Sequence, residues 1–366
     1  MERISQPQLA ALVVMFQIGS SPLFLLGASA GADAWIAVLV AMLAGLLLLV
    51  LLTLQIRRLE PDKDLVEMFR TYFGRVIGYA FAIAYFVYFS YKSVRNIREF
   101  GDLMILYLLP STPLFIVIGC VLIVAGFAVW QGIEAFTRMT QIIMPVVLII
   151  YAAFFFMIYA SGLFDIHRIQ PIADKGLGKV AEAALPEIVS FPFGEMVLFL
   201  MLWKYVASKK KTFRTTIRCY VYTGLFLTAT NIVIIASLGP ISQISVVPFI
   251  QIMSQVEIAS VIERLDPLAA SLIFAGVFIK MTAYFFGAFL VGGHLVKTKK
   301  RYLVVGVGAV LFIGALTFRS YMQHIWFGFE QNLKYHFPMF QIYIPALLLL
   351  VMLFRSRLRA DGNRQS

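Results

Sequence analysis

Ten apolar runs of about bilayer-crossing length leave this chain little choice of fold. They cover residues 8–29, 33–56, 76–108, 113–131, 133–160, 186–203, 219–238, 267–292, 302–318 and 338–354. A helix needs about 20 apolar residues to cross the hydrocarbon core. In lipid a backbone satisfies its own N–H and C=O groups only as a helix or a closed barrel, and runs of this length select the helix. Composition agrees, with 61% of the 366 residues hydrophobic and 14% charged, against about 45–50% and about 25% in soluble domains. A soluble two-domain enzyme is excluded, and so is a nucleic-acid binder, despite the net charge of +12. The two cysteines, Cys120 and Cys219, lie in or beside apolar runs and make neither a disulfide framework nor a thiolate metal site. The expected fold class is all-α, a polytopic membrane protein of about ten transmembrane helices. It forms a single domain over residues 1–354, with a cytoplasmic tail at 355–366.

The basic excess reports topology. An even number of runs puts both termini on one side, and segments on that side hold 21 of the 31 Lys and Arg. The opposite loops hold six: Arg168, Lys175, Lys179, Arg264, Arg319 and Lys334. Cytoplasmic loops carry the excess of positive charge, so both termini are expected in the cytoplasm. The first run follows Met1 to Pro7 with one Arg and no small-residue cleavage site. It reads as a retained span, although a signal anchor has the same outline. Residues 161–185 link the two halves of the chain. Residues 247–265 set Val247, Ile250, Val256 and Ile262 among Gln251, Ser254, Glu257 and Arg264, the pattern of an amphipathic helix on the outer face. The basic, polar tail from Arg355 reads as a disordered stop-transfer anchor.

Two runs are interrupted near their middles. The first reads LVVMFQIGSSPLFLLGAS, with Gly19, Ser20, Ser21 and Pro22 at its centre, and the sixth reads LPEIVSFPFGEMVLFLMLW, with Pro186, Pro192, Gly194 and an ionisable Glu195. Proline lacks the N–H that a continuous helix needs and disfavours helical geometry in the residue before it. Irregular backbone at membrane depth survives only where protein or a cavity satisfies the freed groups. One such break is a common kink. Two at corresponding places in two five-run halves, 8–160 and 186–354, point to an inverted-repeat transporter-type fold.

Three segments carry a family resemblance: REFGDLMILYLLPSTP at 98–113, GIEAFTRM at 132–139 and FPFGE at 191–195. In this order and spacing they resemble the B-subunit family of nutrient germinant receptors in spore-forming bacteria, and the resemblance extends over essentially the whole chain. That family looks like a branch of the amino acid–polyamine–organocation transporter superfamily. The resemblance therefore implies a leucine-transporter-like 5+5 fold with helices 1 and 6 broken. It also implies a complex with an A-subunit and a lipoprotein C-subunit in the spore inner membrane.

Charges inside the runs locate the candidate site. The third run carries Lys92, Arg95, Asn96, Arg98, Glu99 and Asp102 in its second half. At 1.5 Å per residue its 33 residues reach about 50 Å, so it must tilt or project beyond a core of about 30 Å. Arg95 with Glu99, and Arg98 with Asp102, are four apart and can pair on one helix face. A charge facing lipid at the centre costs about 2.5–3.5 kcal/mol, so these groups must face protein, water or the outer interface. Arg98 and Asp102 are expected at the outer headgroups. Lys92 sits at the middle of its run and Lys280 near the middle of the eighth. Lys280 reads either as an ammonium occupying the place of a coupling ion or as a structural partner of a carboxylate such as Glu195.

No Ser-His-Asp order, P-loop or His-Glu-x-x-His motif is present, and the four histidines show no ligand spacing. No catalysis, metal or cofactor is expected. The expected ligand is a small zwitterionic amino acid bound between runs 1, 3, 6 and 8, in the lipid bilayer; no nucleic-acid partner is expected. Backbone N–H groups after Gly19, Ser20 and Ser21 would receive its carboxylate. Carbonyls freed at Gln17, Ser190 and Phe191 would receive its ammonium. Pro192, Phe193, Gly194 and Glu195 from run 6, Thr282 and Phe286 from run 8, and Lys92 and Asn96 from run 3 would complete the pocket. A secondary transporter of amino acids or polyamines, proton-coupled through Lys280, is the rival reading.

Overall fold

The computed structural model describes residues 3–172, 176–257 and 265–362. Among them the chain is helical, and the sole β-type pairing is an isolated bridge between Ile4 and Val206. Seven helical stretches are long and apolar enough to cross a membrane: Ala28–Leu59, Leu65–Tyr107, Leu114–Gln131, Ile133–Ala160, Lys209–Gln243, Asp266–Leu295 and Tyr321–Ser356. These correspond to seven of the ten apolar runs. The remaining three are shorter or interrupted. The first run holds α1 (Gln6–Ile18), 13 residues long, and a single 3-10 turn over Ser21–Leu23. The sixth holds a 3-10 segment at Phe193–Leu198 and a four-residue α8 (Phe199–Leu202). The ninth is α12 (Lys300–Leu316), a regular helix of 17 residues.

The other helices are α2 (Ala34–Leu48), α3 (Leu54–Leu59), α4 (Leu65–Tyr107), α5 (Leu114–Gln131), α6 (Ile133–Ala160), α7 (Gly176–Ala183), α9 (Lys209–Leu238), α10 (Pro248–Met253), α11 (Asp266–Leu295), α13 (Tyr321–Trp326) and α14 (Ile344–Gly362). Local signals set the ends. Ser5 and Gln8 form a capping box before α1, as Asp64 and Glu67 do before α4, each closing two otherwise orphan N–H groups. Gly74, at φ 80°, interrupts α4 and turns its first two turns back on the rest. A methyl on Gly78 would lie 2.8 Å from the Arg70 Cα.

Lipid tails are as apolar as leucine, so helix association here rests on close packing and interhelical hydrogen bonds. Helix α11 is the centre of that packing, buried along most of its length. A methyl on its Gly276 would approach the Gly19 carbonyl oxygen to 2.6 Å, so α1 and α11 touch backbone to backbone. Ser93 of α4 donates to the Met281 carbonyl of α11 at 2.9 Å, and Asn231 of α9 donates to the Leu26 carbonyl at 2.7 Å.

Three expectations need correction. Arg98 is buried, and protein rather than headgroups satisfies it: it pairs with Asp102 at 2.7 Å and donates to the carbonyls of Ala315 and Phe318 at the end of α12. Those carbonyls are the orphan acceptors of a helix C-terminus, where a cation is favoured. The amphipathic surface helix at 247–265 is instead a six-residue α10 whose Phe249, Ile250, Ile252 and Met253 are buried; residues 258–264 lie outside the described residues. The tail is helical as far as Gly362, and 363–366 lie outside the described residues.

Both chain ends lie at one end of the bundle. Ile4 donates to the Tyr205 carbonyl and accepts from Ala207, while Arg355 donates to the Thr71 carbonyl. Beside them Asp64, capping α4, is ion-paired with Lys204 and bonded to His294 Nε2 at 2.8 Å at the end of α11. Glu67 lies 3.4 Å from the same Lys204 ammonium. Asp64, Glu67 and His294 converge closely enough for a metal ion, but the Lys204 ammonium supplies the positive charge there.

Candidate ligand-binding site

Three buried charges meet where the two interrupted runs face α4 and α11. Lys92 of α4 pairs with one carboxylate oxygen of Glu195, and Lys280 of α11 with the other at 2.5 Å. Relative exposures are 3% for Lys92 and 0% for Glu195 and Lys280, so water does not screen the cluster. Desolvating an ion costs several kcal/mol, which is recovered only with good geometry and further partners. One carboxylate shared by two ammoniums leaves a net positive charge. Ring faces take up part of it: Lys92 Nζ lies 3.9 Å from the Phe337 centroid and 5.4 Å from that of Tyr284, and Lys280 Nζ lies 4.2 Å from that of Phe191. A desolvated cation over an aromatic face gains about 2 kcal/mol.

The breaks make room for this cluster. Gly19 ends α1 at φ 34°, and a methyl there would fall 2.4 Å from Lys280 Cδ, so the Lys280 stem fills the space a side chain would take. The backbone freed by the breaks is already occupied. The Gln17 carbonyl accepts from the Ser21 hydroxyl at 2.8 Å, and the Ser190 carbonyl accepts from Gln341 Nε2 at 3.0 Å. Gln341 also donates to the Tyr88 hydroxyl, and its Oε1 would lie 2.5 Å from a methyl on Gly194. Two carbonyls expected to receive a ligand ammonium therefore hold side chains of the protein. The restart after Gly19 to Ser21 is one 3-10 turn rather than a helix N-terminus.

A cavity of about 40 Å³ lies beside the cluster, with Ser20, Lys92, Arg95, Asn96, Glu99 and His324 as its polar lining. Phe24, Phe191, Phe329 and Phe337 supply apolar walls. At about 10–15 Å³ per water-sized body, it has room for about three. Ser20 and the Glu99 carboxylate face the same cavity. Asn96 donates to the Lys92 carbonyl at 2.7 Å, and Arg95 to the His324 carbonyl at 3.1 Å. His324 is buried, and neither ring nitrogen meets a partner among the described residues. The arrangement offers cations and an anion in one small enclosure, which suits a zwitterion.

Of the residues singled out in the sequence, Ser20, Lys92, Asn96, Phe191, Glu195 and Lys280 come together here, with Gly19 against Lys280. Others point elsewhere. Phe193 packs on Tyr220 at 5.4 Å, and Phe286 stacks on Phe136 at 5.8 Å. The Thr282 hydroxyl donates to the Phe278 carbonyl of its own helix at 2.7 Å. Gln17 is fully buried, and its amide has no partner among the described residues. Pro192 is buried and caps the 3-10 turn that carries Gly194 and Glu195. The sequence reading missed Phe16, Tyr284 and Phe337 around the ammoniums, and the roles of Arg95, Glu99 and His324 in the cavity. Helical spacing carried part of that signal, since Tyr284 is four residues beyond Lys280 and Glu99 seven beyond Lys92.

A sequence model of the Spore_permease family, described as spore germination protein, matches residues 3–324. The chain is 27% identical to spore germination protein KB of Bacillus subtilis (strain 168) over 365 residues, 99% of this chain and 97% of that one. It is 24% identical to spore germination protein YndE of the same organism, over 77% of each chain. Identity to spore germination protein A2 is 22%, over 76% of each chain.

Proposed function

This chain belongs to the spore germination protein family, a membrane-associated and non-catalytic class, and we propose that it is the B-subunit of a nutrient germinant receptor. It binds a small amino acid and passes occupancy to an A-subunit and a lipoprotein C-subunit in the spore inner membrane. Its fold is a leucine-transporter-like 5+5 inverted repeat of ten spans, α1 and the segment around α8 being the broken helices 1 and 6, with both termini cytoplasmic. The paired breaks and the 21-to-6 division of loop cations support this reading.

The observation that carries it is the Lys92–Glu195–Lys280 cluster against a small cavity lined by Arg95, Asn96 and Glu99. Negative charge is in short supply there, and a ligand carboxylate supplies it by docking on Lys92 and Arg95. The ligand ammonium then meets Glu99 and Ser20. Charge-assisted hydrogen bonds are roughly twice as strong as neutral ones. Six heavy atoms at the ceiling of about −1.5 kcal/mol each reach about −9 kcal/mol, and ordering costs reduce the working affinity to about tens of micromolar or weaker. With room for about three water-sized bodies, the cavity takes six heavy atoms closely, and seating them presses on the segment from Tyr321 to Phe337, which supplies His324, Phe329 and Phe337, and moves it outward. That movement is the signal.

The test is thermal unfolding of the purified chain in detergent against a panel of amino acids at millimolar concentration. At least one should raise the melting temperature, and Lys92→Met should abolish the rise. A flat response to the whole panel, or an undiminished shift in Lys92→Met, overturns the reading. The buried Lys280–Glu195 pair also favours a second reading, a proton-coupled transporter, with Lys280 alternatively standing in for a coupling ion. Saturable, gradient-driven accumulation of amino acid in liposomes holding this chain alone would establish the transporter.

A further inference from the structure

A groove of about 630 Å³ runs between α5 and α12. Its walls come from Leu122, Phe127, Val304 and Phe312, its floor from Phe285 of α11, and it opens beside Ile123 and Val305, exposed at 74% and 70%. Arg301 is its single charged lining residue. Gly119 and Phe312 close one end; Trp130 and Arg301 mark the other. The distance between these ends is 11 residues on each helix, about 16 Å at 1.5 Å per residue. That is about half of a hydrocarbon core of about 30 Å, the depth of one leaflet.

The dimensions and the charge select the occupant. The groove is apolar throughout except at Arg301 and spans the depth of one leaflet, which suits a single hydrocarbon chain whose polar head lies at the Arg301 end. At its mouth the segment Lys297-Thr298-Lys299-Lys300-Arg301 holds four cations and no acid, all exposed. Arg301 gives one of its five N–H donors to the Tyr302 hydroxyl at 2.8 Å. Basic clusters at the membrane face between helices attract anionic headgroups, and tryptophan favours the same interfacial depth. We propose that this groove binds an acyl chain of an anionic phospholipid, with the phosphate held at Arg301.

The test uses native mass spectrometry of the full chain in detergent with phosphatidylglycerol or phosphatidylcholine of identical acyl chains. Phosphatidylglycerol should be retained in preference. One cation near the surface contributes about a fivefold preference, so Arg301→Gln should lower phosphatidylglycerol occupancy by about that factor and phosphatidylcholine, whose choline offsets its phosphate, by less. Gly126→Leu with Gly308→Leu should abolish retention of both lipids. Methyls at these glycines meet their nearest neighbours, Val304 and Phe285, only at 3.7 and 3.5 Å, so the backbone tolerates them and the added bulk fills the groove. Unchanged melting in lipid-free detergent checks folding, and Gly119→Leu, with Phe312 at 3.7 Å, replaces the pair if it fails that check. Equal retention of the two lipids in the unaltered chain overturns the headgroup assignment. Undiminished phosphatidylglycerol in a folded glycine variant overturns the groove itself.

Discussion

Replacing Glu195 with glutamine keeps the shape of the side chain and deletes the carboxylate that Lys92 and Lys280 share. Both lysines remain buried, without the countercharge that holds them together. Breaking a buried pair by removing one partner costs about 3–5 kcal/mol. Unfolding entropy of about 2.1 cal/mol/K per residue over 366 residues gives about 0.8 kcal/mol/K. The expected fall in melting temperature is therefore about 4–6 °C, read by scanning fluorimetry of the purified chain in detergent. Adding Lys280→Met to Glu195→Gln leaves one ammonium, which keeps the ring faces of Phe337 and Tyr284. That double variant should recover a large part of the loss, because residues in one ion network are not additive. In spores, Glu195→Gln at normal abundance should blunt the nutrient response. The reasoning fails if Glu195→Gln melts within about 1 °C of the parent, or if the double variant loses the sum of the two single effects.

Gly276→Leu forces Cβ against the Gly19 carbonyl at 2.6 Å and should lower stability by at least the 1–3 kcal/mol of an overpacked core, whereas Gly306→Leu, with nothing within 4 Å, should melt like the parent; equal melting of the two would remove the backbone contact from the account. At the end of the bundle that carries the termini, burial alone would raise the Asp64 carboxyl, but the hydrogen bond from His294 and the charge of Lys204 hold it below 3.8. A depressed carboxyl stabilises fully above its unfolded value and loses that contribution as pH falls through the folded one. The melting gap between the parent and Asp64→Asn should therefore be fully open at neutral pH and narrow as pH falls below the ordinary carboxylate range; a gap that widens on acidification contradicts this. Lys210→Cys in a cysteine-free background should resist an impermeant thiol reagent in intact cells, and labelling from outside would reverse the proposed orientation.

The site was legible in the sequence to the extent that chemistry at membrane depth is rare. Glycine and proline inside apolar runs marked the breaks at Gly19 and Pro192, and Lys92, Glu195 and Lys280 were conspicuous as charges among hydrocarbon. The aromatic neighbours were hidden because 14% of the chain is aromatic and any ring fits an apolar helix. Thr282 and Phe286 were placed in the pocket although rotation argued otherwise. At about 100° per residue they lie about 160° and 120° around α11 from Lys280, whereas Tyr284 lies only about 40° away. Gln341 could not be found locally, because what it satisfies, the Ser190 carbonyl, is 151 residues earlier in the chain.

The contacts around Asp64 set an order for making the protein. Asp64 bonds Lys204 and His294, 140 and 230 residues later, and Ile4 pairs with a strand-like stretch around Val206. At about 5–20 residues per second, about 10–50 s pass between synthesis of Asp64 and of His294. Until Lys204 is made, 140 residues after Asp64, the neighbour fixed beside Asp64 is Glu67, three residues on and of the same charge. The first half of the chain thus enters the membrane with its end unfastened. A ribosome stalled before Lys204 would leave an N-terminal half inserted but open to proteases, and release beyond His294 would let the clasp close.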